Sequence, residues 1–206
     1  MKKILISAVI AASCFAPQAF AQAKNFEGFS AAVNMDLIAN STKGTILGSN
    51  YVDGLGRNSV GASIQAAYSY AATDKIVLSV GGTYNLTDTN GVHFTSSSFT
   101  ADSKLKDAYS IYFEPGYALT DKTLAYAKVS YEAGKAVATY SDGSPSDSTD
   151  LSGVGAGFGL RTFIDKNLYL QVEAMQKEYK TATAPGTSNP FKSKSTSGSI
   201  GLGYKF

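Results

Sequence analysis

Ser197-Gly-Ser-Ile-Gly-Leu-Gly-Tyr-Lys-Phe206 closes the chain. Apolar side chains fall at Ile200, Leu202, Tyr204 and Phe206, and small or polar ones at Ser197, Ser199, Gly201, Gly203 and Lys205. A repeat of two places these sets on opposite faces of a strand. In water such a strand, ending on an aromatic residue, would be an exposed and adhesive sheet edge. In a bilayer its greasy face meets hydrocarbon, and its edge must pair with another strand because lipid satisfies no backbone hydrogen bond.

Seven more segments carry the same alternation: residues 28–37, 60–70, 76–86, 108–119, 124–133, 153–161 and 168–177. In the fifth, Ala125, Ala127, Val129, Tyr131 and Ala133 oppose Tyr126, Lys128, Ser130 and Glu132. Each is about ten residues, the length of a tilted membrane strand. Short connections with turn chemistry, at 73–75, 120–123 and 165–167, alternate with long ones rich in Ser, Thr, Gly, Asp and Lys, at 39–59, 87–106, 134–150 and 179–195. That rhythm puts the tight turns on one rim and four long loops on the other. The expected fold is all-β: an eight-stranded antiparallel up-and-down transmembrane β-barrel.

A basic start, Met1-Lys-Lys, precedes an apolar run from Ile4 to Ala16 that is too short to span a bilayer as a helix. Ala19-Phe-Ala21 and Ala21-Gln-Ala23 both suit signal peptidase. Residues 1–21 are therefore expected to be a signal peptide, with cleavage after Ala23 as the alternative, and 22–206 a single barrel domain. The sole cysteine, Cys14, falls in the leader, so no disulfide or thiolate metal site is expected in the mature chain. With one histidine, and with Asp142, Asp147 and Asp150 lacking EF-hand spacing, neither metal nor cofactor is expected. Gly153-Val-Gly-Ala-Gly-Phe-Gly alternates strictly and reads as strand, not as a phosphate loop. A net charge of +2 lacks the concentrated basic face of a nucleic-acid binder.

The charges also sort by face. Asp36, Glu114, Lys128, Glu132, Arg161, Glu173, Lys177 and Lys205 all fall on the small, polar face. A wall facing water would be far denser in Lys and Glu. On the greasy face, Phe29, Tyr68, Tyr70, Tyr117 and Phe206 collect toward the short-turn rim, and Tyr84, Tyr109 and Tyr131 toward the loop rim. Two such belts mark two membrane interfaces.

Eight strands leave an interior that side chains can fill. A turn at 120–122 sets Glu114 opposite Lys128, Tyr112 opposite Ser130 and Ser110 opposite Glu132, while Arg161 faces Gln171 or Glu173. Glu114, Lys128, Arg161 and Glu173 are expected to form an interior ion-pair network, since a lone charge there is costly. The glycines from Gly153 to Gly159 are expected to make room for Tyr112, Tyr126 and Tyr169.

The mature chain resembles the small eight-stranded outer-membrane barrels, the OmpA-like and OmpX-like group with the opacity-type surface proteins. The residues carrying the resemblance are Phe113-Glu-Pro-Gly-Tyr-Ala-Leu-Thr-Asp121, Leu124-Ala-Tyr-Ala-Lys-Val129, Gly153-Val-Gly-Ala-Gly157 and Ile200-Gly-Leu-Gly-Tyr-Lys-Phe206. The resemblance implies an outer-membrane location among lipid and lipopolysaccharide, and biogenesis through periplasmic chaperones and the barrel-assembly machinery. It also implies that Leu202, Tyr204 and Phe206 serve as the assembly signal.

The expected role is a non-catalytic surface protein whose loops meet an extracellular ligand. Two alternatives are a lipid A-modifying enzyme and a narrow solute channel. For the enzyme, the only histidine, His93, stands beside Ser96, Ser97 and Ser98, with no acidic third member identifiable from spacing.

Overall fold

The computed structural model describes residues 22–46, 50–95, 100–141, 146–183 and 189–206. Residues 1–21, with the expected signal peptide and Cys14, lie outside the described residues, as do Ser96, Ser97 and Ser98. Eight long strands build the wall: β1 (Gly28–Ile46), β3 (Asn58–Ala71), β4 (Ile76–Asn85), β6 (Thr100–Ala118), β7 (Thr123–Tyr140), β8 (Asp147–Phe163), β9 (Leu168–Tyr179) and β11 (Pro190–Lys205). Each pairs antiparallel with the next, and β11 returns to β1 to close the ring. Three short strands, β2 (Asn50–Leu55), β5 (Thr89–Thr95) and β10 (Ala182–Thr183), pair with β1, β6 and β11.

These additions correct the sequence reading of the long connections. Much of 39–59, 87–106, 134–150 and 179–195 is strand that carries the wall upward as β-hairpins. The polar composition there concealed the strand because neither face of these extensions is buried in lipid, so the alternation of apolar residues stops while the ladder continues.

The registers fix the shape of the barrel. Stepping across paired positions from Ser30 leads to Ala67, Gly81, Tyr112, Ser130, Gly155, Lys177 and Ser195, and returns to β1 at Asn40, ten residues above the start. A stagger of ten residues at about 3.3 Å, spread over eight strands spaced about 4.8 Å, tilts the strands about 40° from the barrel axis. One bulge lies on β6, where Asp107 and Ala108 oppose Gly134 alone and Asp107 takes a φ of +49°. The β6–β7 ladder also skips Glu114 and Pro115, whose ring nitrogen has no hydrogen to donate.

The greasy row points outward. Val33, Leu37, Val80, Ile111, Val129, Phe158 and Ile200 are each more than half exposed on an otherwise closed wall. Both aromatic sets lie on this outer face, with Phe29 against Tyr68 at 4.9 Å between ring centroids and Tyr84 paired across the ladder with Tyr109. Ser63, Ser69, Ser79, Glu114 and Gln171 are buried within. The sorting is the reverse of a soluble barrel, and it matches a wall solvated by hydrocarbon.

Large residues fit inside because glycines face them. A Cβ on Gly159 would stand 2.4 Å from the Tyr126 ring, one on Gly81 2.5 Å from the Tyr112 hydroxyl, and one on Gly203 2.2 Å from the Tyr169 ring. The expectation for the Gly153–Gly159 ladder is thus corrected in part: of the three tyrosines only Tyr126 uses it, while Gly155 faces the Ser130 hydroxyl and Gly157 the Met175 sulfur. Spacing along one strand could not reveal that Tyr112 and Tyr169 find their glycines on β4 and β11. Gly203→Ala should lower barrel stability by about 1–3 kcal/mol. Gly198→Ala, with open space around its Cβ, should change it by less than about 0.5 kcal/mol. Urea unfolding in lipid vesicles would measure both.

Candidate functional site: the filled interior

A short 3-10 turn, Ala23–Phe26, tucks under the wall at the short-turn rim. The Ala23 amide donates to the Asp74 carbonyl at 2.9 Å, and the Asn25 side-chain amide donates to the Asp121 carbonyl at 2.9 Å. Phe26 packs on Phe163 at 5.2 Å, and Phe163 meets Tyr169 edge-on at 6.0 Å. With Val77, Ala118 and Leu124 these residues form an apolar stopper across the mouth.

Above the stopper the interior is ionic. Arg161 donates from Nη2 to Glu114 Oε1 at 3.0 Å, and Lys128 Nζ lies 3.5 Å from Glu114 Oε2 as an ion pair without a hydrogen bond. Lys128 also pairs with Glu173, which accepts a 3.2 Å hydrogen bond from the Tyr126 hydroxyl. Glu114, Lys128, Arg161 and Glu173 therefore lie in one run of contacts that crosses β6, β7, β8 and β9. Glu114 is fully buried, and Lys128 and Arg161 are each 3% exposed.

Aromatic rings complete the shell of each cation. The Arg161 guanidinium lies 5.2 Å from the Tyr126 ring and 5.1 Å from Tyr169, and Lys128 Nζ lies 4.3 Å over Tyr112. Such stacking offsets part of the loss of hydration.

Of the amides that extend this run, sequence reasoning offered Gln171 as one of two residues facing Arg161 and did not find Asn34 or Gln65. Arg161 Nη2 donates to Gln171 Oε1 at 3.3 Å, and Gln171 Nε2 donates to Asn34 Oδ1 at 2.8 Å and to Gln65 Oε1 at 3.0 Å. Gln65 Nε2 in turn donates to the Tyr112 hydroxyl at 2.6 Å. The register settles the partner of Arg161 as Gln171, with Gly159 opposite Glu173. The signal was present in the alternation, which puts all four polar residues on the inner face. Closer to the loop rim, Lys177 pairs with Glu132 at 2.9 Å, and Glu132 accepts from Ser130 at 2.6 Å. The void between these layers, lined by Asp36, Lys128, Glu132, Glu173 and Lys177 among others, measures about 40 Å³, room for a few waters.

Outside the lumen, His93 Nδ1 lies 2.7 Å from Asp102 Oδ1, and Thr95 Oγ1 lies 3.3 Å from His93 Nε2. Cross-strand pairing supplies the acid that sequence spacing did not identify. Asp102 is shared with Arg57 at 3.4 Å, and the His93 and Asp102 side chains are 46% and 43% exposed, so this cluster lies on open surface. Leu202 and Tyr204 point outward on β11, opposite Val33 and Ala31, and Phe206 donates its amide to the Phe29 carbonyl at 2.9 Å.

Residues 6–206 match the outer membrane protein beta-barrel domain family. The chain belongs to that family, and the protein is an integral barrel of the outer membrane. No curated protein matches it significantly. Among solved structures, the attachment invasion locus protein Ail of Yersinia pestis, in complex with the heparin analogue sucrose octasulfate, is 18% identical; the match covers 87% of this chain and 99% of Ail at a TM-score of 0.50. Neisserial surface protein A is also 18% identical, covering 87% of this chain and all of that one at a TM-score of 0.51. AlkL, an outer membrane protein solved in DMPC bilayers, is 14% identical over 87% of this chain and 90% of its own, with a TM-score of 0.51. At these identities the likeness is one of fold.

Because Glu114 serves two buried cations, Glu114→Gln should destabilise the barrel by about 3–5 kcal/mol. The charge-balanced pair Glu114→Gln with Lys128→Met should recover at least half of that loss. Equilibrium unfolding of the single and double variants in vesicles would check both.

Proposed function

We propose that this protein is a sealed membrane anchor that displays four β-hairpins at the cell surface, for structural, adhesive or ligand-contact roles. The filled lumen is the observation that carries this reading. Among the described residues an apolar stopper and an ionic layer lie across the lumen, with a void of about 40 Å³ between the polar layers, which argues against the channel. Loops on a rigid scaffold are the usual seat of recognition. Ail, of the same fold, was solved with a heparin analogue, which shows that such a barrel can present a surface for an anionic sugar. The non-catalytic reading fits the open, water-washed setting of His93 and Asp102, where a general base would lack a chamber to exclude solvent.

Biogenesis belongs to the same proposal. The leader directs export, and cleavage after Ala21 leaves Ala23 in place to complete the stopper, whereas cleavage after Ala23 removes it. Leu202, Tyr204 and Phe206 form the assembly signal, read by the assembly machinery after periplasmic chaperones deliver the unfolded chain. Their outward, exposed side chains are available for that contact.

Two measurements test the proposal. In planar bilayers the purified barrel should show no steady conductance, and stable channel openings would overturn the sealed reading. On intact cells, a membrane-impermeant maleimide should label Thr139→Cys in a hairpin but not Lys166→Cys in a short turn. Equal labelling of Lys166→Cys would overturn the display reading.

A further inference from the structure

The outer face of the wall is apolar along β1, β9 and β11 until it reaches a group of lysines. Above Phe29 the outward positions of β1 run through Val33, Met35, Leu37 and Ala39 to Ser41 and Lys43. On β11 they run from Phe206 through Leu202 and Ile200 to Lys194 and Lys192. Thr42 and Ser193, the inward neighbours, bond to each other at 2.8 Å, which fixes the alternation. The height of the group follows from the tilt. Lys194 lies twelve residues from Phe206 and Lys43 fourteen from Phe29, about 30 and 35 Å up the barrel axis. An apolar band about 25 Å tall ends below that level, so these ammoniums stand among the outer-leaflet headgroups.

Their arrangement is repulsive as it stands. Lys43 and Lys192 sit directly opposite each other on paired strands, which places their Cβ atoms about 5 Å apart. Like charges at such a position destabilise a sheet. Among the described residues Glu178 is the one acid within reach, 2.5 Å from Lys194 Nζ and 3.4 Å from Lys192 Nζ. The hydrogen bond and charge of Lys194 hold the Glu178 carboxyl below the ordinary carboxylate range, so it stays ionised and cancels one positive charge. Lys43 has no acidic partner among the described residues, and Lys180, two residues past Glu178, adds a further exposed ammonium. A second cross-strand lysine pair, Lys106 and Lys135, differs on this point. Asp88 lies 3.6 Å from Lys106, and Asp150 stands directly opposite Lys135 in the β7–β8 ladder. In the group on β1 and β11, by contrast, three lysines share the single carboxylate of Glu178 among the described residues.

We propose that Lys43, Lys192 and Lys194 form a binding site for the phosphate groups of the outer-leaflet glycolipid, lipid A. A phosphate between Lys43 and Lys192 converts their repulsion into two charge-assisted contacts, and its acyl chains lie down the apolar wall below. The inference rests on the membrane orientation described above and adds to it a phosphate requirement at one place on the perimeter.

The mature chain would be folded into vesicles containing diphosphoryl lipid A or its dephosphorylated counterpart. Heat-dependent gel mobility confirms insertion in each case, and retained glycolipid is then quantified after purification. The wild type should retain the diphosphoryl form about tenfold over the dephosphorylated one. Lys43→Gln/Lys192→Gln/Lys194→Gln should bring the ratio close to one, whereas Lys24→Gln/Lys122→Gln/Lys166→Gln, at the opposite rim, should preserve it. Equal retention of both lipids by the wild type would overturn the site. So would an unchanged ratio in the triple variant. Failure of every form to show the mobility shift would instead contradict the membrane reading itself.

Discussion

Hydrocarbon offers nothing to a backbone hydrogen bond, and that one deficit organises the molecule. A sheet in such a solvent cannot have an edge, so β11 must return to β1. Closure with a stagger of ten residues sets the tilt, and the tilt sets how far each strand rises per residue. The place where greasy residues give way to tyrosines and then to lysines follows from that rise. The terminal strand therefore completes the wall: Tyr204 and Phe206 meet edge-on outside it at 5.3 Å while Gly201 and Gly203 admit Asn34 and Tyr169 within.

Narrowness imposes the second condition. An eight-stranded ring must fill its lumen with side chains, yet apart from the stopper the period-two pattern reserves most aliphatic residues for the lipid face. What remains for the interior is polar, and polar groups shielded from bulk water need partners. The response is a run of contacts in which Arg161 holds Glu114 and Gln171, Lys128 holds Glu114 and Glu173, and three tyrosines flank the cations. The same residues that satisfy one another also fill the space between the strands, so under the sealed-anchor proposal closure of the lumen is a by-product of satisfying its chemistry.

The wall was legible in the sequence because its two solvents differ so strongly. Ile64 against Gln65 and Val129 against Lys128 report the inside and the outside at every step. The β6–β7 register could be read from a single turn because Ser110 with Glu132 and Ile111 with Tyr131 agree with it. Two kinds of feature could not be read. The hairpin extensions lack an apolar face, so β2 and β5 left no pattern. Contacts across the lumen join residues far apart in the chain, such as Asn34 with Gln171 and Gly203 with Tyr169, and no local spacing encodes them. His93 shows the same limit: its acid, Asp102, became visible only once β5 paired with β6.

The account stands on the direction in which each row of side chains points when the ring is closed. Nitroxide labels placed one at a time along β1 and β11 in lipid vesicles would measure it, through collisions with lipid-dissolved oxygen. Labels at Val33, Met35, Ile200 and Leu202 should collide often, and labels at Ala32, Asn34, Gly201 and Gly203 rarely, with the two strands in matching phase. Equal collision rates along both strands, or a phase with Asn34 and Gly201 toward the lipid, would contradict the closed, outward-greasy wall.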